Sequence, residues 1–164
     1  MTQHTGPRAT ATDVRVPLTR EGRALLEERL AMMRGVSLPL LRPLLTAPDR
    51  DERDVAQFER LTAESDRLDA LLAVAVDVPP APDGVVGLGS RVLVELPDGP
   101  RVWLRPVHPA EAFLDEERVS CEAPVARAVL GARAGDDLVV GAGRCRVVQV
   151  ESYDVCAEVL GAPA

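Results

Sequence analysis

Aromatic residues are nearly missing from this chain, which has one tryptophan, one tyrosine and two phenylalanines among 164 residues. Any core must therefore be built from leucine, valine and alanine. Apolar residues still make up 46% of the sequence, enough for one ordinary domain or two small ones. Basic residues are also in deficit, 19 against 26 acidic, for a net charge of −7. Free DNA or RNA is thereby disfavoured as the main ligand, because such binding is dominated by phosphate neutralisation. A partner that offers basic clefts or metal ions remains compatible.

Metal-ligand spacing is absent too. The three cysteines (Cys121, Cys145, Cys156) and two histidines (His4, His108) form no paired motif, which argues against a zinc site. An odd number of thiols fits a reducing compartment. No apolar run approaches the roughly 20 residues that span a bilayer. The first residues lack the basic start and apolar stretch of a signal peptide. Together these absences predict a soluble cytoplasmic protein with no membrane contact.

What is present divides the chain in two. Residues 1–16 carry no apolar period and read as a disordered tail. A helix is expected to open at Pro17-Leu18-Thr19, with Thr19 as N-cap and Glu21 in the first turn. Leu18, Leu25 and Met32 recur every seven residues beside Leu26, Leu30 and Met33, an amphipathic pattern. Gly35, Pro39 and Pro43 predict a kink or break between residues 35 and 43. Pro48 ends this arm ahead of an acidic turn. A second helix begins near Asp51, and Phe58, Leu61, Ser65, Leu68, Leu72 and Ala75 step along it at heptad spacing. Residues 17–77 should thus form an antiparallel helical hairpin, a coiled coil by its stripe.

Val78-Pro79-Pro80-Ala81-Pro82-Asp83-Gly84 reads as a stiff linker over residues 78–84. Beyond it the period becomes two. Strands are expected at 90–96, 101–107, 118–122, 137–140 and 144–152. A single helix runs from Pro124 to Leu130, with proline near its start and Gly131 at its end. The expected class is α+β, a helical hairpin followed by a small antiparallel sheet curled on one short helix.

The strand–helix–turn segment from Val119 to Asp137 contains Ser120-Cys121-Glu122-Ala123-Pro124-Val125-Ala126-Arg127-Ala128-Val129-Leu130-Gly131 and closes on Gly135-Asp136. It resembles the C-terminal signature of the Gre transcript cleavage factors of bacterial RNA polymerase, a strand leading into (N/D)-S-P-x-(A/G)-x-A-L-(L/I)-G and then G-D. Leu18-Thr19-Arg20-Glu21-Gly22 resembles that family's opening L-T-x-x-G. Pro39 falls where members often carry a proline. Asp51-Glu52-Arg53-Asp54-Val55-Ala56-Gln57-Phe58 is similar to the hairpin-tip motif D-L-x-E-N-A-E-Y. Val85 to Leu96 resembles the first strands of the family's FKBP-like domain, which here would span residues 85–164. The resemblance runs from Leu18 to about Tyr153.

The resemblance implies a protein that is not itself an enzyme but modulates the active site of the polymerase core. The FKBP-like domain would dock on the rim of the secondary channel through Glu122, Ala123 and Pro124, with Arg127 and Leu130 on the following helix. The hairpin would carry Asp51 and Asp54 to the catalytic magnesium, where they help hold a second ion. No metal would be bound outside that complex, contact with nascent RNA would be indirect, and the protein would be monomeric. Physical requirements agree. Two-metal phosphodiester hydrolysis needs carboxylate oxygens, and magnesium takes few of them while keeping several waters. Asp51 and Asp54 are three apart and would share a helical face. An arm of about 30 residues reaches roughly 45 Å. On chemistry alone, acids before a helix are ordinary partners of its dipole.

Several departures leave the sign of the effect open between inhibition and cleavage. Asp54 is one methylene shorter than the family's Glu, and Val55 replaces its Asn. Asp49 and Glu52 add charge at the tip, Ala123 replaces the docking-loop Ser, and the first arm is slightly short. A misplacement of roughly 1 Å can lower a rate about a hundredfold. Extra tip acids are similar to those of inhibitory paralogues. Two other readings stand beside these: an FKBP-type prolyl isomerase, for which Trp103, Phe113 and Tyr153 would be a sparse aromatic lining, and a non-channel regulator similar to the nucleoside diphosphate kinase regulators.

Overall fold

The computed structural model describes residues 14–153. The expected tail therefore falls outside the described residues except at its end, as do His4, Cys156 and residues 154–164. The chain enters through a strand rather than a helix: β1 (Val16–Leu18) pairs in parallel with β2 (Ala75–Asp77), Val16 opposite Ala75. Pro17 and Leu18 are thus strand residues, and the helix start moves to Thr19. Thr19 has extended backbone geometry, and its hydroxyl accepts the Gly22 N–H as an N-cap should. Leu18, nearly inaccessible, is a strand residue and not the first member of a helical stripe.

Helix α1 (Arg20–Met32) runs through a π-helical turn (Met33–Ser37) directly into α2 (Leu38–Leu45). Of the expected kink or break, no break occurs: the irregularity is the π turn at Gly35, and Pro43 sits inside α2. The π turn explains how the rod accommodates Pro39. The Leu38 N–H donates to the Met33 carbonyl, five residues back, so the hydrogen-bond ladder changes register just before the residue that has no N–H to give. The turn also rephases the buried face. In a regular α-helix a residue five positions on points about 140° away, at 100° per residue. Here Met33 and Leu38 are both buried, along with Leu26 before them and Leu41 after. The buried stripe is therefore Gly22, Leu26, Met33, Leu38 and Leu41. Leu25 is only half-buried and Met32 is 54% exposed, so the Leu25–Met32 stripe lies one residue off.

A short loop leads to α3 (Glu52–Ala73), whose start lies beside the end of α2 and whose end returns to β1 through β2. The arms are thus antiparallel. Phe58, Leu61, Leu68 and Leu72 are half-buried on α3, and Ser65 is its most buried residue, at 2% exposure. The one polar member of the heptad stripe is thus the one most fully covered, and a small side chain suits such a position.

The second unit is a five-stranded sheet of order β5-β4-β3-β7-β6. Its strands are β3 (Arg91–Glu95), β4 (Arg101–Val107), β5 (Arg118–Ser120), β6 (Asp137–Val140) and β7 (Gly143–Glu151). It is mixed rather than wholly antiparallel, since β5 runs parallel to β4, with Arg105 opposite Arg118. The crossover through residues 108–117 reverses the chain before it pairs again. A register shift between Leu93 and Val94 marks a bulge against β7. Helix α4 (Pro124–Val129) closes one face. Val129 and Ala132 join Val86, Val92, Val94, Leu104, Cys145 and Val147 in an aliphatic core without a ring. Each fully buried valine or leucine contributes about 1.5–3 kcal/mol. Gly131 ends α4 at a φ of 83°, a conformation that favours glycine, and its N–H donates to the Val86 carbonyl. The expected linker is anchored at its start, where buried Val78 donates to the Leu18 carbonyl.

Candidate functional site

The four acids singled out by sequence cluster at the far end of the hairpin. Asp49 lies in the loop between α2 and α3, Asp51 is the N-cap of α3, and Glu52 and Asp54 are in its first turn. Asp51 is extended, and its carboxylate accepts the Arg53 N–H at 2.8 Å. It is therefore a capping residue, and Asp54 follows three positions on, in the first turn of the helix that Asp51 caps. Asp49, Asp51 and Glu52 are exposed and Asp54 is half-exposed. None of these carboxylates has an ion-pair partner among the described residues, although Arg50 and Arg53 lie between them. No group of three potential ligands exists among the described residues, so these acids could complete a metal site only with donors from elsewhere. Hard, exposed carboxylate oxygens suit magnesium in that shared role. Asp54 offers its whole carboxylate, Asp51 the part not engaged in the cap.

Glu122, Ala123 and Pro124 form the turn from β5 into α4. The Ser120 hydroxyl accepts the Glu122 N–H and the Ser120 carbonyl accepts the Ala123 N–H, while Ala123 stands at the N-cap position without a capping side chain. Glu122, Pro124 and Arg127 are exposed together, and Ala123 is half-buried. Leu130 packs against the core instead. The two groups of site residues thus lie on separate parts of the molecule, one at the hairpin end and one beside the sheet.

What relates the two parts is the base of the hairpin. The loop after β4 carries a 3₁₀ turn (Pro109–Glu111) that inserts Glu111 under the start of α1. Glu111 is fully buried. Its carboxylate accepts the Thr19 N–H at 3.1 Å and the Thr19 hydroxyl at 2.5 Å. The Tyr153 hydroxyl accepts the Arg20 N–H at 2.9 Å. Arg118, 4% exposed, donates to Glu21 at 2.9 Å and also binds Asp115. Arg29 stacks on Phe113 with its guanidinium 5.0 Å from the ring centre. Sequence reasoning missed Glu111 and Arg118, since neither belongs to a periodic pattern. The one usable signal was Gly22, a glycine in the first helical turn that must be explained.

Two other features bear on chemistry. A cavity of about 430 Å³ lies against the sheet, lined mainly by Leu96, Val102, Trp103, Val119, Val125 and Val140. Burial pushes the Cys121 and Cys145 thiols above their ordinary range, which disfavours a nucleophilic thiolate. No helix among the described residues is long and apolar enough to cross a membrane.

Residues 81–153 match the family model described as transcription elongation factor, GreA/GreB, C-term. The transcription elongation factor GreA of Geobacillus kaustophilus is 30% identical over 142 residues, covering 79% of this chain and 90% of that protein. GreA of Listeria welshimeri is 29% identical over 142 residues, covering 79% and 89% respectively. Among solved structures, GreA factor homolog 1 of Thermus thermophilus is 30% identical, with 84% of this chain and 99% of that one covered and a TM-score of 0.38.

Proposed function

Because the chain belongs to the GreA/GreB family of transcription elongation factors, we propose that it binds the core of bacterial RNA polymerase at the secondary channel and modulates elongation from there. The observation that carries this reading is the exposed acidic end of a continuous hairpin. From Arg20 to Leu45 the first arm spans nearly 40 Å at about 1.5 Å per residue. The second unit reaches the hairpin at Leu26, Arg29, Glu64, Arg67, Leu68 and Leu71. Asp51 lies roughly 20 Å of helix beyond Glu64. An arm of that reach supports a channel-threading role over a short-hairpin regulator similar to the nucleoside diphosphate kinase regulators.

In this reading the hairpin acts as a coiled-coil stalk and the second unit as an FKBP-like docking domain that presents Glu122, Ala123, Pro124 and Arg127. The protein is a cytoplasmic monomer and no enzyme by itself. Magnesium belongs to the polymerase complex and supplies charge stabilisation for phosphodiester chemistry there. The chain's own residues have narrower tasks. Asp54 presents a free carboxylate, and Asp51 presents one that is held in place by its cap. Asp49 and Glu52 raise the local negative charge. With Asp54 short of the family's Glu and Val55 apolar beside it, the tip is better suited to occupying the catalytic centre than to aligning a water. We take inhibition as the outcome and transcript cleavage as the alternative.

A halted-complex transcription assay tests this directly. Loss of extension identifies an inhibitor, and RNA shortening identifies a cleavage factor. Unchanged transcription, with no polymerase retained on the immobilised full-length protein, would overturn the proposal. The cavity beside Trp103 favours one second reading, an FKBP-type prolyl isomerase, although a single aromatic wall is a poor proline site. Turnover of a proline peptide would establish it.

A further inference from the structure

The acidic end is useful only if the stalk points it correctly, and the structure places the pointing element in the second unit. The first four N–H groups of α1, from Thr19 to Gly22, have no backbone partner within the helix, and side chains take three of them. Glu111 takes that of Thr19, Tyr153 takes that of Arg20, and the Thr19 hydroxyl takes that of Gly22. The same hydroxyl donates to Glu111, so its orientation is fixed from both sides. Glu111 thus stands 92 residues away in sequence from Thr19 yet serves as the acceptor for this helix N-terminus. The fit is close. A Cβ on Gly22 would lie 1.5 Å from Glu111 Oε1, so the helix approaches the carboxylate only because residue 22 has no side chain. Glu21, one residue before, is held by Arg118 and Arg105 from the same unit.

We propose that Glu111 is a positioning residue that sets the direction of the hairpin by capping α1 from the second unit. The consequence for action on the polymerase rests on the function proposed above; the consequence for the free protein does not. A hairpin turned away from this seat loses the partners of its Thr19 and Arg20 N–H groups, whereas a seated one keeps Asp51 and Asp54 at a fixed place relative to Glu122, Pro124 and Arg127. If only one molecule in ten is correctly seated, the half-maximal concentration on the polymerase rises about tenfold while the effect at saturation is retained.

The test measures distance in the full-length free protein. Spin labels are placed on Arg53→Cys and Arg133→Cys, both exposed positions, with the native cysteines replaced by serine or alanine. The parent is expected to give one narrow distance distribution. Glu111→Ala and Thr19→Val should each give a broad one, with helix content by circular dichroism unchanged. Glu111→Gln, which keeps an acceptor oxygen, should restore most of the narrow peak. If Glu111→Ala does not fold, Thr19→Val, which keeps the shape and loses the hydroxyl, decides the matter. A narrow, parent-like distribution in a folded Glu111→Ala or Thr19→Val protein overturns the proposal. Broadening in the free protein together with unaltered transcription would uphold the positioning role and count against the polymerase reading alone.

Discussion

Gly22 and Glu111 compete for one volume, and the glycine yields it. The carboxylate oxygen lies where a Cβ would be, 1.5 Å from it, at the seam between hairpin and sheet. Gly22→Ala must therefore push a fully buried carboxylate off Thr19 or lift α1 from its seat. We expect a loss of about 3 kcal/mol, from overpacking and from disrupted hydrogen bonds, read as a lowered midpoint in denaturant unfolding. A midpoint matching the parent would mean that the seam is looser than these contacts imply.

Asp51 combines a cap with a charge, and two substitutions separate them. Asp51→Asn keeps an acceptor for the Arg53 N–H and should leave stability within a few tenths of a kcal/mol, whereas Asp51→Ala should lose about 1 kcal/mol. Both remove the negative charge, so both should abolish the effect on transcription when combined with Asp54→Asn, while polymerase binding persists. Full activity of Asp51→Asn with Asp54→Asn would show that the hairpin end is not the acting element.

Ser65 is the most buried residue of α3. Ser65→Ala should be tolerated within about 1 kcal/mol, but Ser65→Leu should overpack the arms and lose about 1–3 kcal/mol. The contrast would be seen in thermal melts followed at 222 nm, and equal melts for the two variants would argue against a tight helix contact there.

His108 caps the 3₁₀ turn that delivers Glu111, accepting the Ala110 N–H at Nδ1, 3.1 Å away. Burial pushes its pKa below the ordinary imidazole value, against the smaller opposing pull of Glu111 and Glu122. The unfolded chain therefore binds this proton more readily than the folded one. As pH falls through about 6.5 the unfolded state gains protons first, so stability declines on acidification and recovers as pH rises. The carboxylates of Glu117 and Asp137, held low by their hydrogen bonds to Arg91 and Arg146, act nearer about pH 4 and do not confuse this window. His108→Asn supplies an alternative cap without titrating. Unfolding midpoints at pH 7.5 and 5.5 should differ less for the variant than for the parent.

Much of the molecule was legible from residue order alone, because it depends on local periodicity and local chemistry. Alternation located β4 at Arg101–Val107 and β6 at Asp137–Val140, and Thr19, Pro124 and Gly131 marked helix ends. The heptad on α3 from Phe58 to Leu72 and the acids at its start follow from spacing within one helix, although Ala75, read as the last member of that stripe, falls in β2. Other features arise between segments far apart in sequence, and residue order could not decide them. Proline and glycine announced a disturbance near residue 35, but only packing against α3 determined that it would be absorbed by a π turn that keeps Met33 and Leu38 on one face. The parallel pairing of β1 with β2 and of β4 with β5 needs the whole chain to be in place. Above all, the partnership of Thr19 with Glu111 joins residues 92 positions apart. A buried carboxylate is stable only where donors converge on it, and that convergence exists only once the hairpin is seated on the second unit.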